Sequence, residues 1–203
     1  MKQKQCSCFN FAVAILLVVL ATNLWAKEKT IFDKAESTYN IDKTILVAFA
    51  KQESDFNPLA IGVMIRKKEK VLATEACLDI IGTKYKMSKN KRHVAIYPKN
   101  PKEINLIFMM LDKLGLDYDL GVMQINRYNI KKRHLNRFKL IYDAEYNIMM
   151  GAKILKECSD RFPSNIQYAF ECYNKGTDKR RFNKSYSRQI LLKYKKLFMD
   201  SKN

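Results

Sequence analysis

Apolar residues recur along most of this chain at the three- and four-residue spacing of amphipathic helices. Ile31, Phe32, Ala35 and Tyr39 predict a short helix within residues 27–40. Residues 45–58, ILVAFAKQESDFNP, predict a second helix, capped at its start by Asn40 or Asp42. Pro58 predicts its stop, because a proline steers the residue before it away from helical geometry. Residues 60–98 mix Lys, Gly and apolar side chains, and only residues 72–81 give partial helix. Asn100-Pro101 is a capping side chain followed by a first-turn proline. It opens a helix with Ile104, Ile107, Phe108 and Leu111 on its buried face, ended by Gly115. Residues 116–126, LDYDLGVMQIN, predict a turn. Ile148, Ala152 and Leu155 mark a helix over residues 143–158. Ser164 caps another through Ile166, Ala169, Phe170 and Tyr173, and Tyr186, Ile190, Tyr194 and Leu197 stripe a last one over about residues 183–198. No strand alternation, internal repeat or low-complexity linker stands out. The pattern predicts one all-α domain.

One of these helices carries chemistry. Ile45, Phe49 and Glu53 lie at i, i+4 and i+8, so they share a face, while Lys51 and Asp55 point elsewhere. Burial disfavours a charged carboxylate and raises its pKa. A carboxylic acid that holds its proton near neutrality can donate it to a leaving group. A helix-end Glu that only caps or snorkels is the other reading of the same residue.

At the N-terminus, Lys2 and Lys4 precede an apolar run over residues 11–21, and small Ala26 follows. That order describes a secretory signal peptide cut near Ala26. The run is short of the about 20 residues a membrane span needs, but the uncharged stretch extends on both sides of it, so an uncleaved anchor is the alternative. The expected organisation is a signal at 1–26 and a domain at 27–203, with no stable membrane insertion once the signal is cleaved. Lys and Arg number 38 against 20 Asp and Glu, a net charge of +18. Such a charge favours anionic partners. The bases are scattered, however, and no recognisable nucleic-acid module surrounds them, so nucleic acid is not an expected partner. Cys6 and Cys8 would leave with the signal, whereas Cys77, Cys158 and Cys172 would meet an oxidising compartment. A Cys158–Cys172 link would close a loop of about 15 residues and contribute about 3 kcal/mol in the chain-entropy model. Three free thiols are the alternative.

Several chemistries are excluded. His93 and His134 sit in basic, loop-like surroundings and suit no nucleophilic triad. No Cys-x-x-Cys, His-Glu-x-x-His or phosphate-cradling glycine loop occurs, so no metal or cofactor is expected. Sugar-polymer hydrolases usually place two carboxylates across the bond. Asp117, Asp119, Glu145 and Glu171 are candidates by type alone.

Four stretches in order add a family resemblance. Gln52-Glu53-Ser54 with Phe56-Asn57-Pro58 resembles the catalytic helix end of lytic transglycosylases related to goose-type lysozyme. Gly121-Val122-Met123-Gln124-Ile125-Asn126 is similar to their Gly-Leu-Met-Gln turn. Asn147 with Gly151 matches their Asn-x-x-x-Gly helix, and Tyr173-Asn174-x-Gly176 resembles their Ala-Tyr-Asn-x-Gly segment. Asn57-Pro58-x-Ala60-Ile61-Gly62-Val63, Asp117-Tyr118-Asp119-Leu120-Gly121 and the positions of Cys158 and Cys172 resemble the branch that accompanies type IV secretion and conjugation machines.

The resemblance implies a lysozyme-like helical domain with a helical insertion in residues 61–118. It implies a periplasmic enzyme that cuts the β-1,4 bond between N-acetylmuramic acid and N-acetylglucosamine in peptidoglycan, leaving 1,6-anhydro ends. Peptidoglycan strands and components of a secretion or conjugation machine are the implied partners. Glu53 is the implied acid and then base. Gln124 would hydrogen-bond the sugar, Met123 would pack on a sugar face, and Tyr173 would orient Glu53. Asn174 would bind glycan or brace the groove, and Ser54 would cap or orient the helix end. Asn126 and Tyr186 are further substrate-binding candidates. Core packing is an equal alternative for Met123, and plain burial for Tyr173. Asp119 stands where some relatives carry serine. It could raise the acid's pKa by like-charge repulsion, or open a hydrolytic, lysozyme-type route. A non-catalytic wall-binding assembly factor remains the reading from another class, motivated by the charge and the 60–98 stretch.

Overall fold

In a computed structural model of the protein, residues 31–200 are described. The expected signal peptide, with Cys6 and Cys8, lies outside the described residues. Residues 31–39 form helix α1. Lys43–Glu53 form α2, whose N-cap Asp42 accepts from the backbone N–H groups of Thr44 and Ile45. After β1 (Ile61–Met64) come α3 (Lys70–Ile81), β2 (Lys84–Met87), β3 (His93–Tyr97) and α4 (Pro101–Leu114). Asn100 caps α4 by accepting from Glu103 N, and Gly115 ends it in the left-handed conformation, as the spacing predicts. Strands β4 (Asp117–Leu120) and β5 (Ile125–Asn126) flank a tight turn. Then follow α5 (Arg127–Lys132), α6 (Arg137–Tyr142), α7 (Ala144–Arg161), α8 (Ile166–Lys175), a 3₁₀ turn (Lys179–Arg181) and α9 (Ser185–Asp200). Asn165, rather than Ser164, caps α8. The short helices α5 and α6 were not legible in the spacing of apolar residues.

The expectation of an all-α domain is corrected here. The chain is rich in helix, but it also builds a five-stranded antiparallel sheet in the order β2-β3-β1-β4-β5. Most of that sheet comes from residues 61–118, expected to be a helical insertion. The strands are two to five residues long, too short for alternation to register over the helical background. The alternation is nonetheless there. Ile61, Val63, Val94, Ile96, Tyr118 and Leu120 are buried against the core, while Gly62, Met64, His93, Ala95, Asp117 and Asp119 lie on the other face.

The helices pack as α2 on α9, α7 on α8 and α8 on α9, and one continuous apolar core joins them to the buried sheet face. A disulfide between Cys158 of α7 and Cys172 of α8 spans a Cα–Cα distance of 5.8 Å. Cys77 is free. Replacing both bridged cysteines by alanine is expected to lower stability by about 3 kcal/mol, from the length of loop released. Denaturant unfolding of the oxidised protein against the double variant checks this. Among the described residues, no helix is long and apolar enough to cross a membrane.

Candidate active site

Glu53 is the last residue of α2, and the turn behind it is held from several directions. Ser54 closes the helix, and its hydroxyl donates to the carbonyl of Val122 at 2.9 Å, so the helix end is tied to the turn between β4 and β5. Asp55 and Phe56 are both left-handed, with φ of 54° and 64°, and Phe56 N donates back to the Ala50 carbonyl at 3.3 Å. This pair stops the helix before Pro58 is reached, which corrects the expectation that proline ends it.

The turn is cradled by α7. Asn147 is fully buried, and its amide donates to the carbonyls of Leu120 and Leu140, each at 2.9 Å. Its carbonyl oxygen accepts from Met123 N at 2.8 Å. One helical turn on, Gly151 lies beneath Met123, where a Cβ would come within 2.6 Å of the Met123 Cβ. Met123 is therefore fully buried, and its side chain fills the core instead of meeting a sugar face. Gln124 has φ of 44°, and its amide donates to the carbonyls of Ala60 and Gly121 at 3.1 and 2.8 Å. Its oxygen faces Gly62, where any Cβ would approach to 2.6 Å. That oxygen remains open to accept a bond from a ligand, since no protein donor reaches it among the described residues.

Aromatic packing sets the other wall. The ring of Phe49 in α2 meets Phe170, Tyr173 and Tyr186 edge-on, with centroids 5.1, 5.0 and 5.9 Å away. From these positions the two tyrosines do different work. Tyr173 donates to the Met123 carbonyl at 2.6 Å, bracing the turn. Tyr186 donates to the Glu53 carboxylate. The orienting role expected of Tyr173 thus falls to Tyr186, the candidate given less weight. Tyr186 is in turn anchored by a residue that in the sequence is one carboxylate among several. Glu171, fully buried in α8, accepts from Ser187 N at 2.9 Å and from Lys175 at 2.8 Å, fixing the first turn of α9 beside Tyr186. Lys175, four residues on in α8, is the one signal in the sequence, while the second partner, Ser187, lies on another helix.

A cleft of about 900 Å³ opens past Asp119 and Tyr173. Asn126 and Asn174 line it, although the Asn126 side chain also caps α5 by accepting from Asn129 N at 2.8 Å. The strand registers pair Asp119 with Gly62 on one side and Asn126 on the other. Glu145, bonded to Lys34, and Asp117, paired with Arg66 at 2.7 Å, hold structural ion pairs. His93 and His134 are exposed.

Burial pushes the Glu53 carboxyl up to about 7, the bond from Tyr186 pulls it down, and repulsion from Asp119 adds to the rise. Burial, then Asp117, raises Asp119 to about 7 as well. Burial and the Glu53 charge hold the Tyr173 and Tyr186 phenols well above their ordinary range, so both stay proton donors. The folded state therefore binds protons on both carboxyls more tightly than the unfolded chain does. Stability falls as pH rises from the ordinary carboxylate range to about pH 7. Glu53 and Asp119, which lines the cleft, are thus two electrostatically linked carboxyls that can each give or take a proton near neutrality. No group of side chains able to hold a metal ion occurs among the described residues.

The chain is 27% identical over 139 residues to "Type IV secretion system protein virB1" of Brucella abortus and to its counterparts in Brucella melitensis and Brucella suis. The match covers 64% of this chain and 47% of each relative, so the chain spans about half their length. No solved structure matches. Residues 30–194 match the family described as Transglycosylase SLT domain, and the chain belongs to that family.

Proposed function

We propose that the protein is a peptidoglycan lytic transglycosylase, and that Glu53 is its catalytic acid and base. The observation that carries this is a carboxyl raised to about 7 by burial, bonded by Tyr186 and within reach of the charge of Asp119, which lines the cleft. Glu53 protonates the oxygen between N-acetylmuramic acid and N-acetylglucosamine as the C1–O bond breaks. Its carboxylate then accepts the proton of the muramyl C6 hydroxyl as that oxygen bonds to C1. The product is a 1,6-anhydro end, and Glu53 regains its proton. In this reading the Gln124 oxygen and Asn174 bind the sugar, supported by the unpaired oxygen and by Asn174 lining the cleft, while Ser54 and Tyr173 hold the turn that carries Gln124. The family and the names of the relatives support periplasmic work beside a secretion or conjugation machine, with the wall strand as substrate. The expected export signal fits that location.

Asp119 favours a second reading. A second carboxylate whose charge reaches Glu53 would activate water, making the enzyme a lysozyme-type hydrolase. Mass spectrometry of products from purified sacculi separates the two, because hydrolysis adds one water to each new end. Anhydro ends support the first reading, and hydrated ends the second. A purely wall-binding assembly factor predicts no released fragments.

The Tyr186 bond makes a further expectation specific. It stabilises ionised Glu53, so Tyr186→Phe raises the acid's pKa. The alkaline limb of the kcat/KM profile should move up by about one pH unit. A pH–rate profile of both proteins measures this.

A further inference from the structure

Helix α3 is apolar around most of its circumference, yet the fold covers only one side of it. Residues 71–81, VLATEACLDII, hold no Lys or Arg in a chain with 38 of them. A helix of that kind belongs in an interior. Only Thr74 and Leu78 of α3 are fully buried. On the opposite side Leu72, Ala76 and Ile80 follow at i, i+4 and i+8 and form one exposed stripe. Leu72 and Ile80, at 75% and 85%, are the two most exposed large apolar side chains among the described residues.

The apolar surface continues onto α4. Lys70 donates to the Leu114 carbonyl at 2.5 Å, so the start of α3 lies at the end of α4 and the two helices run antiparallel, side by side. Leu106 and Met109 stand exposed on the outer side of α4. The two helices thus rim a shallow groove. Behind it, α4 packs on the buried face of the sheet, where the rings of Phe108 and Tyr118 lie 6.3 Å apart. Asp119 and the cleft belong to the other face. An occupant of the α3–α4 groove therefore leaves the cleft open.

Charge selects the occupant. Lys67 and Lys68 stand exposed before α3, Lys84 after it, and Lys102 and Lys113 at the two ends of α4. None of the five is in an ion pair among the described residues. Pairing α3 with a second copy about Ala76 would set Leu72 against Ile80, but also Lys68 against Lys84. An anionic membrane would meet Asp79, which is exposed and shares the side of Leu72, seven residues away. Carboxylates placed only beyond the ends of an apolar face fit both the lysines and the stripe.

We propose that the outer face of α3 and α4 is a docking groove for a partner protein, which lays an amphipathic helix with acidic ends along it. The apolar face of that helix covers Leu72, Ala76, Ile80, Leu106 and Met109, and its carboxylates meet the lysines at the ends of the groove. This goes beyond the proposed reaction and does not depend on it.

A photoactivatable phenylalanine analogue replaces Leu72 in the full chain, in the cells that make it, and the linked peptides are sequenced by mass spectrometry. The same analogue at Arg188, exposed on α9, is the control. One partner should be linked at Leu72 and not at Arg188, through a segment with apolar residues at helical spacing and Asp or Glu at its ends. That segment, made as a peptide, should bind the purified protein. Ile80→Glu should weaken it about tenfold. Lys102→Glu with Lys113→Glu should weaken it about tenfold at low salt, and less as salt rises. Circular dichroism reports whether Ile80→Glu is folded, and Met109→Glu replaces it if not. Adducts to a second copy, to lipid or to residues 1–30 of the same chain overturn the proposal, as does no adduct or an affinity indifferent to the lysine reversal. Release of fragments from sacculi should be the same in these variants as in wild type. A protein that docks its partner but cuts nothing keeps the groove and loses the proposed reaction, and one that cuts but docks nothing does the reverse.

Discussion

Glu53→Gln should lower the release of fragments from sacculi by about three orders of magnitude, within the range that a positioned general acid supplies. The amide is nearly isosteric with the neutral acid and can still accept the Tyr186 hydroxyl bond, so the cleft keeps its shape. What disappears is the transferable proton. The same substitution removes a group that the fold prefers uncharged. The variant should therefore be at least as stable as wild type above about pH 7, where burial and Asp119 penalise ionised Glu53 most. Release assays with thermal unfolding at two pH values read both effects. Retained activity would remove Glu53 from the mechanism, and lost activity with a lower melting temperature would point to damage instead of chemistry.

Asn147→Ala is expected to be the most damaging substitution to the fold. The side chain makes three hydrogen bonds in a fully buried place, to Leu120 and Leu140 carbonyls and from Met123 N. Truncation strands all three backbone groups away from water, and each such group costs about 1–3 kcal/mol. With partial relaxation the total should be about 3–5 kcal/mol. Gly121 cannot relieve it, because a left-handed residue with φ of 75° must remain against the same spot. Urea unfolding measures the loss. Activity should fall too, since Tyr173 and Gln124 are braced on the loosened turn. A cost below about 1 kcal/mol would show that the turn holds itself.

What was legible in the sequence followed how local the cause was. The α4 boundaries come from Asn100, Pro101 and Gly115, which act within one turn of chain. The burial of Glu53 was visible because Ile45 and Phe49 repeat its face on the same helix. The sheet escaped notice because four-residue strands such as KYKM and DYDL show alternation only once paired. For Met123 sugar contact and core packing are equal expectations, and the places of Met123 and Gln124 both depend on distant residues. Gly151 admits the methionine, and the Ala60 carbonyl captures the glutamine amide. Tyr173 and Tyr186 sit on equivalent helical stripes, and only the packing of α9 on α2 decides which one reaches Glu53. For Glu171 the sequence shows only the i,i+4 pairing with Lys175, because its other partner, Ser187, belongs to the next helix.

The most direct test is a carbon-13 titration of the Glu53 carboxyl in the intact protein, assigned by its loss in Glu53→Gln. A proton donor sheltered from solvent beside Tyr186 should titrate with a midpoint of about 7. A midpoint in the ordinary range near 4.5 would mean a solvated carboxylate, and the proposed chemistry would have no acid to begin it.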